Sequence, residues 1–127
     1  MRVLLVEDNF IIAMDLAALV QDAGAEPVGP VASVRDALRE IETGAVEAAI
    51  LDFNLGQENA LAVAERLEQR AIPFAFATGY SADDVLPERP GGTLVLAKPY
   101  SAAEVRSVLA SLRARAGGGN GHRLPGA

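Results

Sequence analysis

Five side chains in this chain, each at the end of an apolar run, could together handle a phosphoryl group. Glu7 and Asp8 follow Val3-Leu4-Leu5-Val6, Asp52 follows Ala48-Ala49-Ile50-Leu51, Thr78 follows Phe74-Ala75-Phe76-Ala77, and Lys98 follows Leu94-Val95-Leu96-Ala97. Carboxylate oxygens suit a hard divalent cation. A carboxylate can also act as a nucleophile and carry a phosphoryl group as an acyl phosphate. A hydroxyl and an ammonium can meet the negative charge that spreads over the phosphoryl oxygens during transfer. Three carboxylates brought together repel one another unless a cation lies among them. Taken singly, Glu7 and Asp8 read as loop acids, Lys98 as a solvated surface residue and Thr78 as strand filler. Asp52 is harder to place that way, because an unpaired carboxylate at the end of a buried strand is costly. The chemistry requires that all four run ends meet at one rim.

The order of elements supplies such a rim. Short aliphatic runs that do not alternate read as strands buried on both faces of a parallel sheet, and ligands sit outside the carboxyl ends of such strands. Between the runs lie helical patterns. Ile12, Leu16, Leu19 and Ala23 recur at helical spacing, with Gly24 as a stop. Ser33 and Asp36 form a capping box ahead of Val34, Ala37, Leu38 and Ile41, and Ala60, Val63, Ala64 and Leu67 give a third stripe. A second capping box, Ser101 to Glu104, opens a last helix that buries Val105, Val108, Leu109 and Leu112. Pro27-Val28-Gly29-Pro30-Val31 reads as a short edge strand, because proline lacks a ladder donor. The fourth strand starts near Pro73. Pro87, Pro90, Gly91 and Gly92 prevent a long helix over 81–93, so the fourth helix is expected to be short or degenerate. A (βα)5 order with right-handed crossovers gives a doubly wound parallel sheet with helices on both faces. The domain is expected over 1–115, followed by a flexible glycine-rich tail over 116–127 that holds His122, the one histidine and an inert one.

Composition narrows the partners. The 127 residues suffice for one domain, and with 5% aromatic residues the core must be aliphatic and alanine-rich. A net charge of −6 argues against nucleic acid. Arg106, Arg113 and Arg115 are placed near a helix end that favours cations anyway. The lack of cysteine excludes disulfides, thiolate nucleophiles and zinc–thiolate sites. Glu7 and Asp8 interrupt the first apolar run too early for a signal peptide, and Phe10 to Val20 is too short to span a bilayer. No membrane role and a cytoplasmic setting are expected.

Glu7-Asp8-Asn9, Asp52, Thr78 and Lys98-Pro99, in that order and each at a strand end, resemble the receiver domains of two-component response regulators. The resemblance covers residues 2 to about 115. It implies a flavodoxin-like fold with strand order 2-1-3-4-5, Asp52 as phosphoacceptor, and Mg²⁺ (or Mn²⁺) as the cofactor. The ion would be held by Asp8, Asp52 and the backbone carbonyl of Asn54, with Glu7 acting through a water. Lys98 would pair with Asp52 and then with the phosphoryl group, and Thr78 would donate its hydroxyl to a phosphoryl oxygen. A cis Lys98-Pro99 bond is implied as well, and would aim Lys98 inward.

The string Phe-Ala-Thr-Gly-Tyr over 76–80 resembles the FATGUY subgroup of single-domain receivers. Gly79 lets the backbone turn close to the phosphoryl site. Where receivers usually carry a strand-five aromatic switch, this chain has Val95, which makes Tyr80 the candidate replacement, with simple loop packing as the alternative. The family's usual proline after the phosphoacceptor is Gly56, which permits a more mobile loop. A short fourth helix also departs from the common dimer face, so a monomer or weak dimer is expected. In this family Asn54 and Tyr80 flank the path of the attacking water.

Phe10, Ile11 and Met14, with Ala18, form a second apolar stripe on the first helix. It is either a docking surface or extra core. The resemblance implies a histidine kinase, of the HWE or a related class, or a histidine phosphotransfer protein as donor. The expectation is therefore a stand-alone phosphoacceptor, not an enzyme with an external substrate, which signals by protein contact or acts as a phosphate sink. One alternative is a Mg²⁺-dependent aspartyl-phosphate phosphohydrolase, which would need an acid where Asn54 stands. A degenerate, binding-only receiver is the other.

Overall fold

A computed structural model describes residues 1–55, 58–78 and 94–126, with the backbone alone at 54, 59, 78 and 117–126. Gly56, Gly79, Tyr80, the fourth helix expected over 81–93, and the His122 side chain lie outside the described residues. The elements are β1 (Arg2–Val6), α1 (Phe10–Asp22), β2 (Glu26–Val31), α2 (Val34–Glu42), β3 (Ala48–Asp52), β4 (Asn54–Leu55), β5 (Glu58–Asn59), α3 (Leu61–Gln69), β6 (Phe74–Thr78), β7 (Leu94–Ala97) and α4 (Ala102–Gly126). The main sheet has the order β2-β1-β3-β6-β7, and all its pairs are parallel. With the short β4–β5 pair set aside, this is the flavodoxin-like 2-1-3-4-5 order.

Alternation along the buried strands divides the core in two. Val3, Leu5, Ile50, Ala75, Ala77 and Leu96 face α1 and α4, which add Leu16, Val20, Val105, Leu109 and Leu112. Leu4, Val6, Leu51 and Phe76 face α2 and α3, which add Ala37, Ile41, Val63 and Leu67. Phe76 is fully buried and meets Phe53 and Phe74 edge to face, with centroids at 5.7 and 5.6 Å. The stripes expected on α3 and on the last helix are the buried ones. On α1 the buried line is Ala13, Leu16 and Val20; of the expected Ile12, Leu16, Leu19 and Ala23, Leu16 is buried, and Leu19 and Ala23 pack half-buried against the core. The helix is apolar nearly all round, so spacing alone cannot choose its inner face.

The proline-bearing β2 does occupy an edge. Its register against β1 shifts between Leu4↔Val28 and Val6↔Val31, an extra residue that marks a bulge. Gly29 sits there with φ +92°, and a Cβ would lie 2.7 Å from the Val31 amide nitrogen. The position therefore demands glycine.

One expectation needs correcting. The helical path of α4 continues to Gly126, over the stretch read as an irregular tail from residue 116. Glycine costs a helix about 1 kcal/mol relative to alanine but does not forbid one, and propagation from an established helix is far cheaper than nucleation. Among the described residues, no helix is long and apolar enough to cross a membrane.

Candidate functional site

The parallel register brings the run ends to one rim. Val6 pairs with Leu51, Asp52 with Ala77, and Thr78 with Ala97, so Glu7, Asp52, Thr78 and Lys98 stand at the carboxyl ends of four adjacent strands, within two residues of one level. Thr78 is placed there by its backbone; its side chain lies outside the described residues. Past β1 the chain turns at once into α1. Asn9 caps that helix, its Oδ1 accepting from the Ile12 amide at 3.0 Å, and the Asn9 amide donates to Glu7 Oε1 at 3.2 Å. The cap therefore fixes the acidic turn, leaving Glu7 buried and Asp8 exposed.

Carboxylate oxygens of Glu7, Asp8 and Asp52 lie within 4.8 Å of one another. Lys98 Nζ donates to Glu7 Oε2 at 3.0 Å and stands 3.2 Å from Asp52 Oδ2. The Lys98-Pro99 bond is cis. Burial, and then a side-chain hydrogen bond with Asp52, push the Glu7 carboxyl up to about 7, against the opposing pull of Lys98. Near neutral pH, Glu7 thus holds a proton much of the time and donates it to Asp52, which relieves like-charge repulsion. Burial works against the Lys98 charge, but the hydrogen bond to Glu7 and the nearby carboxylates outweigh it and raise its pKa. Sequence reading expected the Lys98–Asp52 pairing; the contact with Glu7 it did not single out.

A small antiparallel pair, β4–β5, follows Asp52. Two-residue strands are too short for periodicity to reveal, so the sequence carries little sign of it. The Ala60 amide donates to the Phe53 carbonyl at 3.0 Å, which makes Asn54–Asn59 the non-hydrogen-bonded pair of this ladder. In that register the Asn54 carbonyl faces away from β5. The three carboxylates form an all-oxygen donor set, the kind a hard divalent cation requires. The residues fit Mg²⁺.

Two further residues bear on the site. Phe10, Ile11 and Met14 are 75%, 79% and 48% exposed, so this stripe is not extra core. Tyr100, which the sequence reading passed over, has its hydroxyl buried without a hydrogen-bond partner among the described residues.

With this geometry, residues 3–110 match the family of response regulator receiver domains. The chain belongs to that family. It is 32% identical over 111 residues to the phyllosphere-induced regulator PhyR of Methylorubrum extorquens, a match covering 85% of this chain and 42% of PhyR. The chain thus spans less than half the length of that relative. Among solved structures, the solution structure of SdrG from Sphingomonas melonis Fr1 aligns with TM-score 0.78 and 44% identity, covering 89% of this chain and 96% of SdrG. The BeF3-activated conformation of SdrG, from Pseudomonas melonis Fr1, aligns with TM-score 0.76 and 45% identity, covering 87% of this chain and 94% of that one. Receivers are signalling domains of two-component systems. They take phosphoryl groups from histidine kinases and bind Mg²⁺ through acidic residues.

Proposed function

We propose that this receiver accepts a phosphoryl group on Asp52 from a phosphohistidine of a sensor kinase or phosphotransfer protein. The observation that carries the reading is the Lys98 ammonium lying between Glu7 and Asp52, at 3.0 and 3.2 Å. An Asp52 carboxylate oxygen attacks phosphorus as the bond from phosphorus to the donor imidazole nitrogen breaks. The electron pair of that bond stays on the imidazole, and an acyl phosphate forms on Asp52. Lys98, already at the carboxylate, neutralises charge on the incoming group, and Thr78 donates its hydroxyl to one phosphoryl oxygen. Asp8, Asp52 and the Asn54 carbonyl hold Mg²⁺ (Mn²⁺ can substitute), with Glu7 engaging through water; the ion supplies further charge neutralisation.

Gly79 and Tyr80 adjust the loop after β6, in the manner of the FATGUY subgroup, and Tyr80 stands in for the strand-five aromatic absent at Val95. Pro99 helps aim Lys98. Phe10, Ile11 and Met14 form the docking face for the donor, a histidine kinase of the HWE or a related class. The domain works in the cytoplasm as a monomer or weak dimer. It signals by protein contact or serves as a phosphate sink.

Beryllofluoride, a phosphoryl mimic, tests the site directly. With Mg²⁺ present, ¹H–¹⁵N NMR should show saturable shifts of the amides around Asp52, Thr78 and Lys98 in the wild type and none in Asp52→Asn. An unchanged wild-type spectrum would overturn the reading.

A further inference from the structure

We infer that Asn9 is a positioning residue for the divalent cation: by capping α1 it holds the Asp8 carboxylate where the ion is bound. The inference rests on the cation reading proposed above and adds to it a residue that does not itself touch the ion.

Asp8 is the member of the acidic trio with nothing of its own to hold it. Glu7 and Asp52 are buried and share the Lys98 ammonium. The Asp8 side chain is exposed, and among the described residues it has no hydrogen-bond or ion-pair partner. Its oxygen nonetheless lies within 4.8 Å of the other two carboxylates, although like charge favours swinging away. The restraint must therefore come through the backbone on either side.

On one side the Glu7 amide donates to the Val31 carbonyl at 2.9 Å, which ties the end of β1 to β2. On the other side stands Asn9, in extended backbone with φ −88° and ψ 113°. Its carbonyl accepts the first helical bond from the Ala13 amide at 2.8 Å, and its Oδ1 accepts from the Ile12 amide at 3.0 Å. Its own amide donates back to Glu7 Oε1 at 3.2 Å. One residue thus pins the start of the helix and the acidic turn together, with Asp8 between the two anchors.

Of these bonds, only the one from Oδ1 belongs to a side chain that a substitution can remove. Without that oxygen the Ile12 amide loses its partner and the first turn of α1 frays. A site that is correctly arranged for only part of the time binds with an affinity lowered by that fraction. Asn9→Ala changes no charge, so a loss of affinity in it reports position and not electrostatics.

The test is calorimetric titration of the full chain with magnesium chloride, comparing wild type, Asn9→Ala, Asn9→Ser and Ser33→Ala. Serine restores an oxygen that caps a helix. Ser33→Ala removes the cap of α2, where Ser33 Oγ accepts from the Asp36 amide at 3.1 Å, and so weakens the fold by a comparable amount away from the acids. Amide hydrogen exchange at Ile12, measured in chelator, reports the cap without the ion. Asn9→Ala should bind Mg²⁺ about threefold or more weaker than wild type, with faster exchange at Ile12. Asn9→Ser should recover both to within about twofold, and Ser33→Ala should bind as wild type does. Unchanged affinity in Asn9→Ala, or an equal loss in Ser33→Ala, would overturn the inference while leaving the cation reading intact. A wild type that takes up no Mg²⁺ would overturn both, so the two failures are told apart.

Discussion

Lys98 Nζ and Glu7 Oε2 meet at 3.0 Å although 91 positions separate them in sequence. The contact crosses the rim from the β7 edge to β1, over the ends of β6 and β3, and takes in Asp52 on the way. One ammonium thus restrains two buried carboxylates that would otherwise repel, and the same ammonium is in place to meet a phosphoryl group.

Lys98→Met should expose that dependence. Removing one partner of a buried ion pair leaves uncompensated charge, and about 3 kcal/mol should be lost at pH 8. The loss should shrink at pH 6, where Glu7 already carries a proton and the wild type gains less from the pair. Urea unfolding at the two pH values measures both. A variant as stable as wild type at pH 8 would contradict the pairing.

Glu7 makes stability fall with rising pH in the absence of divalent cation. Its folded value is raised from 4.5 to about 7, so the folded state keeps a proton that the unfolded chain has released. That contribution is fully present below about pH 4.5 and is lost as pH rises through about 7. Urea midpoints in chelator should therefore decline across this window for wild type and stay flatter for Glu7→Gln. Equal slopes for the two proteins would show that another group is responsible.

Asp8 is the exposed member of the acidic trio and sits in the turn fixed by the Asn9 cap. Asp8→Asn should weaken Mg²⁺ binding roughly tenfold or more by calorimetry, since affinity follows the charge of the ligands. Unchanged affinity would place the cation elsewhere.

Phe10 and Ile11 contribute little to folding if the exposure of their side chains is what it measures. The double variant Phe10→Ser, Ile11→Ser should unfold within about 0.5 kcal/mol of wild type. A larger loss would mean that the stripe belongs to the core, and the docking surface would go with it.

Much of this was legible in sequence because the buried strands are continuous aliphatic runs with a polar residue at each end. β2 was legible as an edge through Pro27 and Pro30, and the capping boxes at Ser33 and Ser101 set two helix starts, each hydroxyl accepting from the amide three residues on at 3.1 Å. What could not be read depends on distance or on surroundings. The inner face of α1 is ambiguous because apolar residues encircle it. The β4–β5 pair is too short to leave a period, and the Glu7–Lys98 contact follows from strand order and register. Tyr100 carries no sequence signal of its own. Only the folded chain shows that its hydroxyl is shut away from water.

Intact-mass spectrometry after incubation with acetyl phosphate tests the central claim most directly, with wild type beside Asp52→Asn and each run with and without Mg²⁺. The account predicts one added phosphoryl mass on the wild type with Mg²⁺, and none on the variant or in chelator. A phosphoryl adduct of equal yield on Asp52→Asn would contradict it, because the acceptor would then be another residue.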